Sequence, residues 1–212
     1  MSGGRAAVRP LRHVPAGSET EVAALYREAF GRRLGPALGP GRKGRAFVAA
    51  HLHHDRGVTA LDASGRVIGI AGFQVGGRGP VGGGFRDVSR MYGVLPGLIR
   101  VAVLALFERR QAQGEPVMDS IAVDSAHRGE GIGSILLDEV ASVAAEHGCH
   151  LLGLDVIDVN PRARALYERH GFTAVRTCRT PYLRRLLGFG AVTAMTRQIP
   201  VPGRPATDGG AQ

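Results

Sequence analysis

Met118 to Ser134 reads MDSIAVDSAHRGEGIGS, and the residues change character twice along that length. Met118–Val123 is a short apolar run rich in β-formers, the pattern of a buried strand. Asp124–Ala126 reads as a turn, and Arg128-Gly129-Glu130-Gly131-Ile132-Gly133 as a glycine-rich loop carrying one guanidinium. From Ser134 the spacing becomes helical. Ile135, Leu136, Val140, Val143 and Ala144 fall on one face, with Asp138, Glu139 and Glu146 on the other. Strand, glycine loop and helix N-terminus together make an anion cradle. The first N–H groups of a helix lack partners, and the macrodipole favours negative charge there. Glycine lets the main chain reach positive φ, and Arg128 offers a forked donor suited to phosphate.

Spacing removes two phosphate-binding alternatives. The dinucleotide fingerprint G-x-G-x-x-G fails because Gly129 and Gly131 lead to Ser134, while Gly131 and Gly133 lead to Leu136. The nucleotide loop G-x-x-x-x-G-K-[ST] fails because no Gly-Lys pair follows. What remains is R-x-x-G-x-G/A just after a strand ending in Ala-Val. Further on, Asn160, Ala163, Leu166, Tyr167, Gly171 and Phe172 reproduce N-x-x-A-x-x-L-Y-x-x-x-G-F. With both halves in order, Met118–Phe172 resembles the GNAT superfamily of N-acetyltransferases, and its second half the ribosomal-protein alanine acetyltransferases.

The resemblance implies an α/β fold. Its mixed, mostly antiparallel sheet would carry helices on both faces, with the two central strands parallel and joined by the Ser134–Glu146 helix. It implies acetyl-CoA as donor and an amine as acceptor: a protein N-terminus, a lysine or a small molecule. The pyrophosphate would lie on Arg128, Gly129, Glu130, Gly131, Ile132, Gly133 and Ser134. Ile121, Ala122 and Val123 would pair with the pantetheine arm as another strand does, one N–H facing the thioester oxygen. Asn160 would clamp the pantetheine, cap a helix, or both.

Two side chains are candidates for moving protons. A neutral phenol stays protonated near pH 7, so Tyr167 is the expected acid for the leaving thiolate; its plainer role is a core aromatic. Asp155 is the lone ionisable group in the apolar strand Leu151–Ile157. A buried carboxylate there would have its pKa raised towards a general base's range. The resembled branch carries a glutamate at this place, so the shorter Asp155 calls for a bridging water. Asp119 is its rival. The non-enzymatic alternative is a CoA-binding sensor module of the same fold.

Composition narrows the setting. The chain has 212 residues, 44% of them hydrophobic and 21% charged, as in ordinary globular proteins. Its +9 formal charge, from 27 Lys+Arg against 18 Asp+Glu, suits a polyanionic ligand. No aromatic-studded basic motif accompanies that charge, so nucleic acid is not an expected partner. Cys149 and Cys178 lack metal-ligand spacing, so neither a zinc site nor a disulfide framework is expected. His51, His53, His54 and Asp55 find no further ligand at matching spacing and read as a solvated helix end; no metal is expected. No signal-peptide core is visible, and the longest apolar run, Val101–Phe107, is too short to span a bilayer. A cytoplasmic location is expected.

The rest of the chain reads as follows. Ala6–His13 is a first strand. Ser18-Glu19-Thr20-Glu21 forms a capping box, with Glu21 reaching back to Ser18. Its helix buries Val22, Leu25, Tyr26 and Phe30 and ends in a Gly31–Gly44 loop. Arg45–His54 is a second helix, then Val58–Leu61 and Val67–Gln74 form a hairpin. Leu151–Ile157 reads as a buried parallel strand. Asn160-Pro161 opens a helix; Thr173–Thr177 and Ala191–Arg197 are closing strands around a basic loop. Residues 1–199 are expected as one domain with a helical insertion at about 78–116, followed by a disordered 200–212 tail. The insertion's Leu95–Arg110 segment serves equally as a lid or acceptor wall, a packing helix, or half of a homodimer interface.

Overall fold

The computed structural model describes residues 8–38, 46, 48–74, 78–82, 117–181, 184 and 188–200. Among these residues seven strands form one sheet: β1 (Arg9–Leu11), β2 (Gly57–Leu61), β3 (Val67–Gln74), β4 (Val117–Val123), β5 (Leu151–Ile157), β6 (Thr173–Arg179) and β7 (Ala191–Gln198). Their spatial order is β1-β2-β3-β4-β5-β7-β6. Every neighbouring pair is antiparallel except β4 and β5. Three helices are bounded: α1 (Glu19–Leu38), α2 (Ile132–Glu146) and α3 (Pro161–Arg169). This is the expected mixed, mostly antiparallel α/β fold. The Leu95–Arg110 segment, expected as part of an insertion, and the tail from 201 lie outside the described residues.

Two cores sandwich the sheet. On one face α2 packs Ile132, Leu136, Leu137, Val140, Ala141, Val143 and Ala144 against the strands. The helix is rotated slightly from the expected setting: Leu137 and Ala141 are buried, whereas Ile135 is only half-buried. On the other face α1 places Val22, Ala23, Leu25 and Tyr26 over Val67, Ile70 and Ala122. Glycine permits the close approach of α2. A Cβ on Gly69 of β3 would lie 2.9 Å from Ile132 Cγ2 and 3.1 Å from Leu136 Cδ1.

Several local expectations are corrected. β1 is shorter than Ala6–His13, covering Arg9–Leu11. The Gly31–Gly44 loop begins later, because α1 runs to Leu38. Arginine, leucine and alanine favour the helix there, and propagating an existing helix outweighs about 1 kcal/mol per glycine. The capping box does not close. Glu21 accepts instead from the Val67 N–H at 3.0 Å, tying α1 to β3. Glu19 accepts from the Gly17 N–H at 3.1 Å. The backbone N–H groups of Glu19 and Gly17 hold that carboxyl below its ordinary range.

The second helix is also shorter than expected: residues 46 and 48–50 are helical, and His54–Arg56 form a 3-10 turn. His53 Nδ1 lies 2.8 Å from the Gly79 carbonyl and His54 Nδ1 2.9 Å from that of Val14. These histidines stitch segments together. Among the described residues no three His, Cys, Asp or Glu side chains converge as metal ligands, and no helix is long and apolar enough to cross a membrane.

The tight β3–α2 contact yields a stability prediction. Gly69→Val should overpack it and lower unfolding free energy by about 1–3 kcal/mol in urea titrations. An unchanged midpoint would mean α2 can move off the sheet without cost.

Candidate functional site

β4 and β5 start as neighbours and then part. Only Val117↔Gly153 and Met118↔Leu154 pair; beyond them the two parallel strands have no shared register. β4 stays bonded to β3 on its far side, and β5 to β7 throughout. The result is a wedge at the carboxyl ends of two parallel strands, with unpaired backbone edges on both walls. An open parallel sheet binds ligands in such a crevice, and an extended ligand can add there as a strand does.

A bulge sharpens the wedge. Gly72 faces Ser120 while Phe73 faces Met118, so Asp119 is an extra residue on β4. Without it Met118 and Ser120 would share a face. Instead Met118 joins the α2-side core, and Ser120 turns to the α1 side, where its Oγ lies 2.7 Å from the Tyr26 hydroxyl. Ile121 and Val123 are then half-buried on the α2 side, and Ala122 is buried against α1. Sequence reasoning missed the bulge. Its signal was the polar Asp119-Ser120 pair inside an apolar run.

Past β4 the chain makes a 3-10 turn, Ser125–His127, in which Asp124 Oδ1 accepts from the Ala126 N–H at 3.0 Å. Gly129 and Gly131 then adopt φ of 91° and 86°, the left-handed region that favours glycine. Gly131 is the N-cap of α2, so Ile132 and Gly133 belong to the helix's first turn; helical structure starts two residues before the expected Ser134. The Ser134 and Ile135 N–H groups both reach the Gly131 carbonyl, at 2.9 and 3.2 Å. No acceptor among the described residues takes the N–H groups of Gly129 through Gly133. Five unspent donors at a helix N-terminus constitute an anion cradle.

Arg128 turns part of its guanidinium to the protein. Its Nε donates to the Val123 carbonyl at 3.2 Å, and its Nη2 to Glu28 Oε1 at 2.6 Å. Those donors brace the loop from the α1 side, where Arg66 Nη2 also reaches Asp124 Oδ2 at 3.0 Å. A cavity of about 450 Å³ on that side is lined by Glu21, Arg27, Glu28, Arg66 and Asp124 among others, and by no loop glycine.

α3 supplies the opposite wall. Asn160 caps it, Oδ1 accepting from the Ala163 N–H at 3.3 Å, with Pro161 at the first position. Gly133 brings α2 against α3, since a Cβ there would lie 2.9 Å from Leu166 Cδ2. Tyr167 is 5% exposed, its ring 5.9 Å from that of Phe172 at 59°. Asp155 is half-buried, because β5 alternates between buried Leu152, Leu154, Val156 and half-buried partners. The expectation of a strand buried on both faces is therefore corrected, and with it the desolvation argument for Asp155. By strand alternation Asp155 shares the α1-side face with Ser120. Of the two cysteines, the Cys149 thiol is pushed up by burial, which disfavours a nucleophilic thiolate.

The chain is 44% identical over 54 residues to the thialysine N-epsilon-acetyltransferase of Bos taurus, covering 26% of this chain and 32% of that protein. It is 42% identical over 55 residues to the streptothricin acetyltransferase of Streptomyces lavendulae, covering 26% and 29%. The chain thus spans about a third of the length of the curated relatives it matches. The crystal structure of the Escherichia coli ribosomal-protein-S18-alanine N-acetyltransferase superposes with a TM-score of 0.59 at 17% identity, over 93% of this chain and 97% of that one; this is a likeness of fold. The model of the acetyltransferase (GNAT) family matches residues 21–172, strand wedge, glycine loop and α3 included, and the chain belongs to that family.

Proposed function

We propose that this protein is an N-acetyltransferase that moves an acetyl group from acetyl-CoA to a primary amine by direct attack. The observation that carries the proposal is the five-donor glycine loop opening onto a strand wedge of unpaired backbone. Acetyl-CoA has the matching parts: a diphosphate for the loop and an amide-bearing pantetheine arm for the wedge. The residues fit that ligand. Gly129 through Gly133 aim N–H groups at the diphosphate, Ser134 adds a hydroxyl, and Arg128 positions the loop from behind. The β4 edge at Ile121, Ala122 and Val123 pairs with the pantetheine, and the Asn160 side-chain NH₂ donates to it. A backbone N–H after the Asp119 bulge polarises the thioester carbonyl.

The amine nitrogen forms a bond to the acetyl carbon as the carbon–sulfur bond breaks. Tyr167 donates its phenolic proton to the departing sulfur, and Asp155 accepts the amine's proton through a bridging water. Asp155 is half-buried on the α1-side face of the sheet, where water can reach it, and that position supports this role. Names that specify thialysine and streptothricin among the matching proteins favour an amine acceptor without choosing one. The second reading, a CoA-binding sensor without turnover, shares the loop and wedge but needs neither Tyr167 nor Asp155.

A turnover screen with acetyl-CoA and a library of amines, reading free thiol, tests the proposal. Release of thiol with at least one amine is expected; binding of acetyl-CoA without release for any amine would favour the sensor. Gly131→Val should weaken acetyl-CoA at least tenfold by calorimetry, about 1.4 kcal/mol. A side chain at this φ adds about 1–2 kcal/mol of backbone strain, so a melting curve must accompany it. Unchanged affinity in a folded variant would remove the loop from the binding site.

The two proton carriers have separable signatures. Tyr167→Phe keeps the ring, so kcat should fall by about 10²–10⁴ with little change in CoA affinity. A change of less than threefold would make Tyr167 only a core aromatic. Asp155→Asn should show a defect that shrinks with rising pH, because a base is needed only while the amine is charged. An α-amine with a pKa near 7.7–8.0 loses its charge earlier than a lysine near 10.4. A defect flat from pH 6.5 to 10 would rule out proton transfer through Asp155.

A further inference from the structure

Behind the cradle, three side chains from two helices line up. Ser134, in the first turn of α2, places Oγ 2.9 Å from His170 Nε2. On the other side of the ring, His170 Nδ1 lies 3.3 Å from Asp138 Oδ1, one turn further along α2. The His170 side chain is 16% exposed and that of Asp138 62%. From β7, Arg197 Nη1 approaches the same Asp138 oxygen at 3.9 Å, too far for a hydrogen bond, and this buried nitrogen has no hydrogen-bond partner among the described residues. The remaining charges of α3, Arg162, Arg164, Glu168 and Arg169, are exposed, and Arg164 pairs with Glu168.

This chain has a direction. Asp138 can only accept, so the proton of a neutral His170 belongs on Nδ1. Nε2 is then an acceptor and takes the Ser134 O–H, leaving the serine with lone pairs towards the cradle. Protonation reverses the second bond. Nε2–H donates to Ser134 Oγ, and the hydroxyl hydrogen is freed to donate to an anion at the helix N-terminus. The imidazolium also adds a positive charge at that end.

We propose that His170, acting through Ser134, is a proton-linked positioning residue of the diphosphate site, so that cofactor binding takes up a proton at His170. This inference rests on the acetyl-CoA reading of the loop. The sign follows from the bond reversal: the ligand prefers the protonated ring, so affinity is highest at low pH and falls as pH rises through the range in which histidine discharges.

Dephospho-CoA is the appropriate probe. It keeps the diphosphate but lacks the 3′-phosphate, a monoester that itself titrates near pH 6. Calorimetry from pH 5.5 to 8.5, in two buffers of different ionisation enthalpy, should show binding about tenfold tighter at pH 6 than at pH 8. Net proton uptake should accompany it. His170→Gln should flatten the profile, and Ser134→Ala, a smaller change that spares packing, should lose affinity mainly at low pH. Pantetheine, without a diphosphate, should bind independently of pH. A flat wild-type profile would overturn the proposal, as would a slope that survives His170→Gln but disappears in His127→Gln. If neither dephospho-CoA nor acetyl-CoA binds at any pH, the cofactor reading falls, and this inference with it.

Discussion

The parting of β4 from β5 is the constraint on which the rest depends. A parallel pair that stays bonded along its length has no open edge, and a pair that never bonds cannot fix the distance between its ends. Two bonded positions, Val117↔Gly153 and Met118↔Leu154, hinge the strands at one end and release them at the other. Each strand keeps its shape because its far neighbour holds it: β3 for β4, β7 for β5. The exposed donors and acceptors inside the wedge are tolerable only because water or a ligand can reach them.

Two helices turn this backbone feature into a site. α2 rises from the end of β4 with its N-terminus at the mouth of the wedge, and α3 starts from the end of β5 behind the Asn160 cap. Gly69 and Gly133 set how closely α2 can approach the sheet and α3. Gly129 and Gly131 contribute conformation: an added Cβ would meet no protein atom, but their φ values disfavour other residues. Arg128 and Arg66 pin the loop on its α1 side through Glu28 and Asp124. The unpaired amides are therefore held in place before any anion arrives, the condition under which electrostatic binding costs least reorganisation.

Charge on the molecule is used in the same bracing manner. Arg12, beyond β1, reaches both Glu139 and Glu146 on α2, and those two hydrogen bonds raise its pKa. Exposed pairs of this kind contribute little each. Their service is to register a terminal segment and a helix against the sheet. The excess of arginine that composition reported as a net charge is, at several positions, a set of tethers.

What the sequence determined by itself was whatever local chemistry dictates. Strand, glycine loop and helix were legible in Met118–Glu146 because each has its own period and its own special residues. Asn160-Pro161 announced α3 for the same reason, and Val67–Gln74 matched β3 at both ends. The tertiary structure decided everything that depends on a partner from elsewhere in the chain. Glu21 abandons its own helix cap for the Val67 N–H, and Arg128 turns two of its donors to Val123 and Glu28. The Asp119 bulge shows only in the register against β3. Asp155 looked buried in an apolar strand, but burial depends on what covers each face, and beyond Leu154 β4 no longer lies alongside. Only the packing of α3 on α2 brings His170 to Ser134 and Asp138. A periodicity reports which face a side chain is on, and the fold alone reports what that face meets.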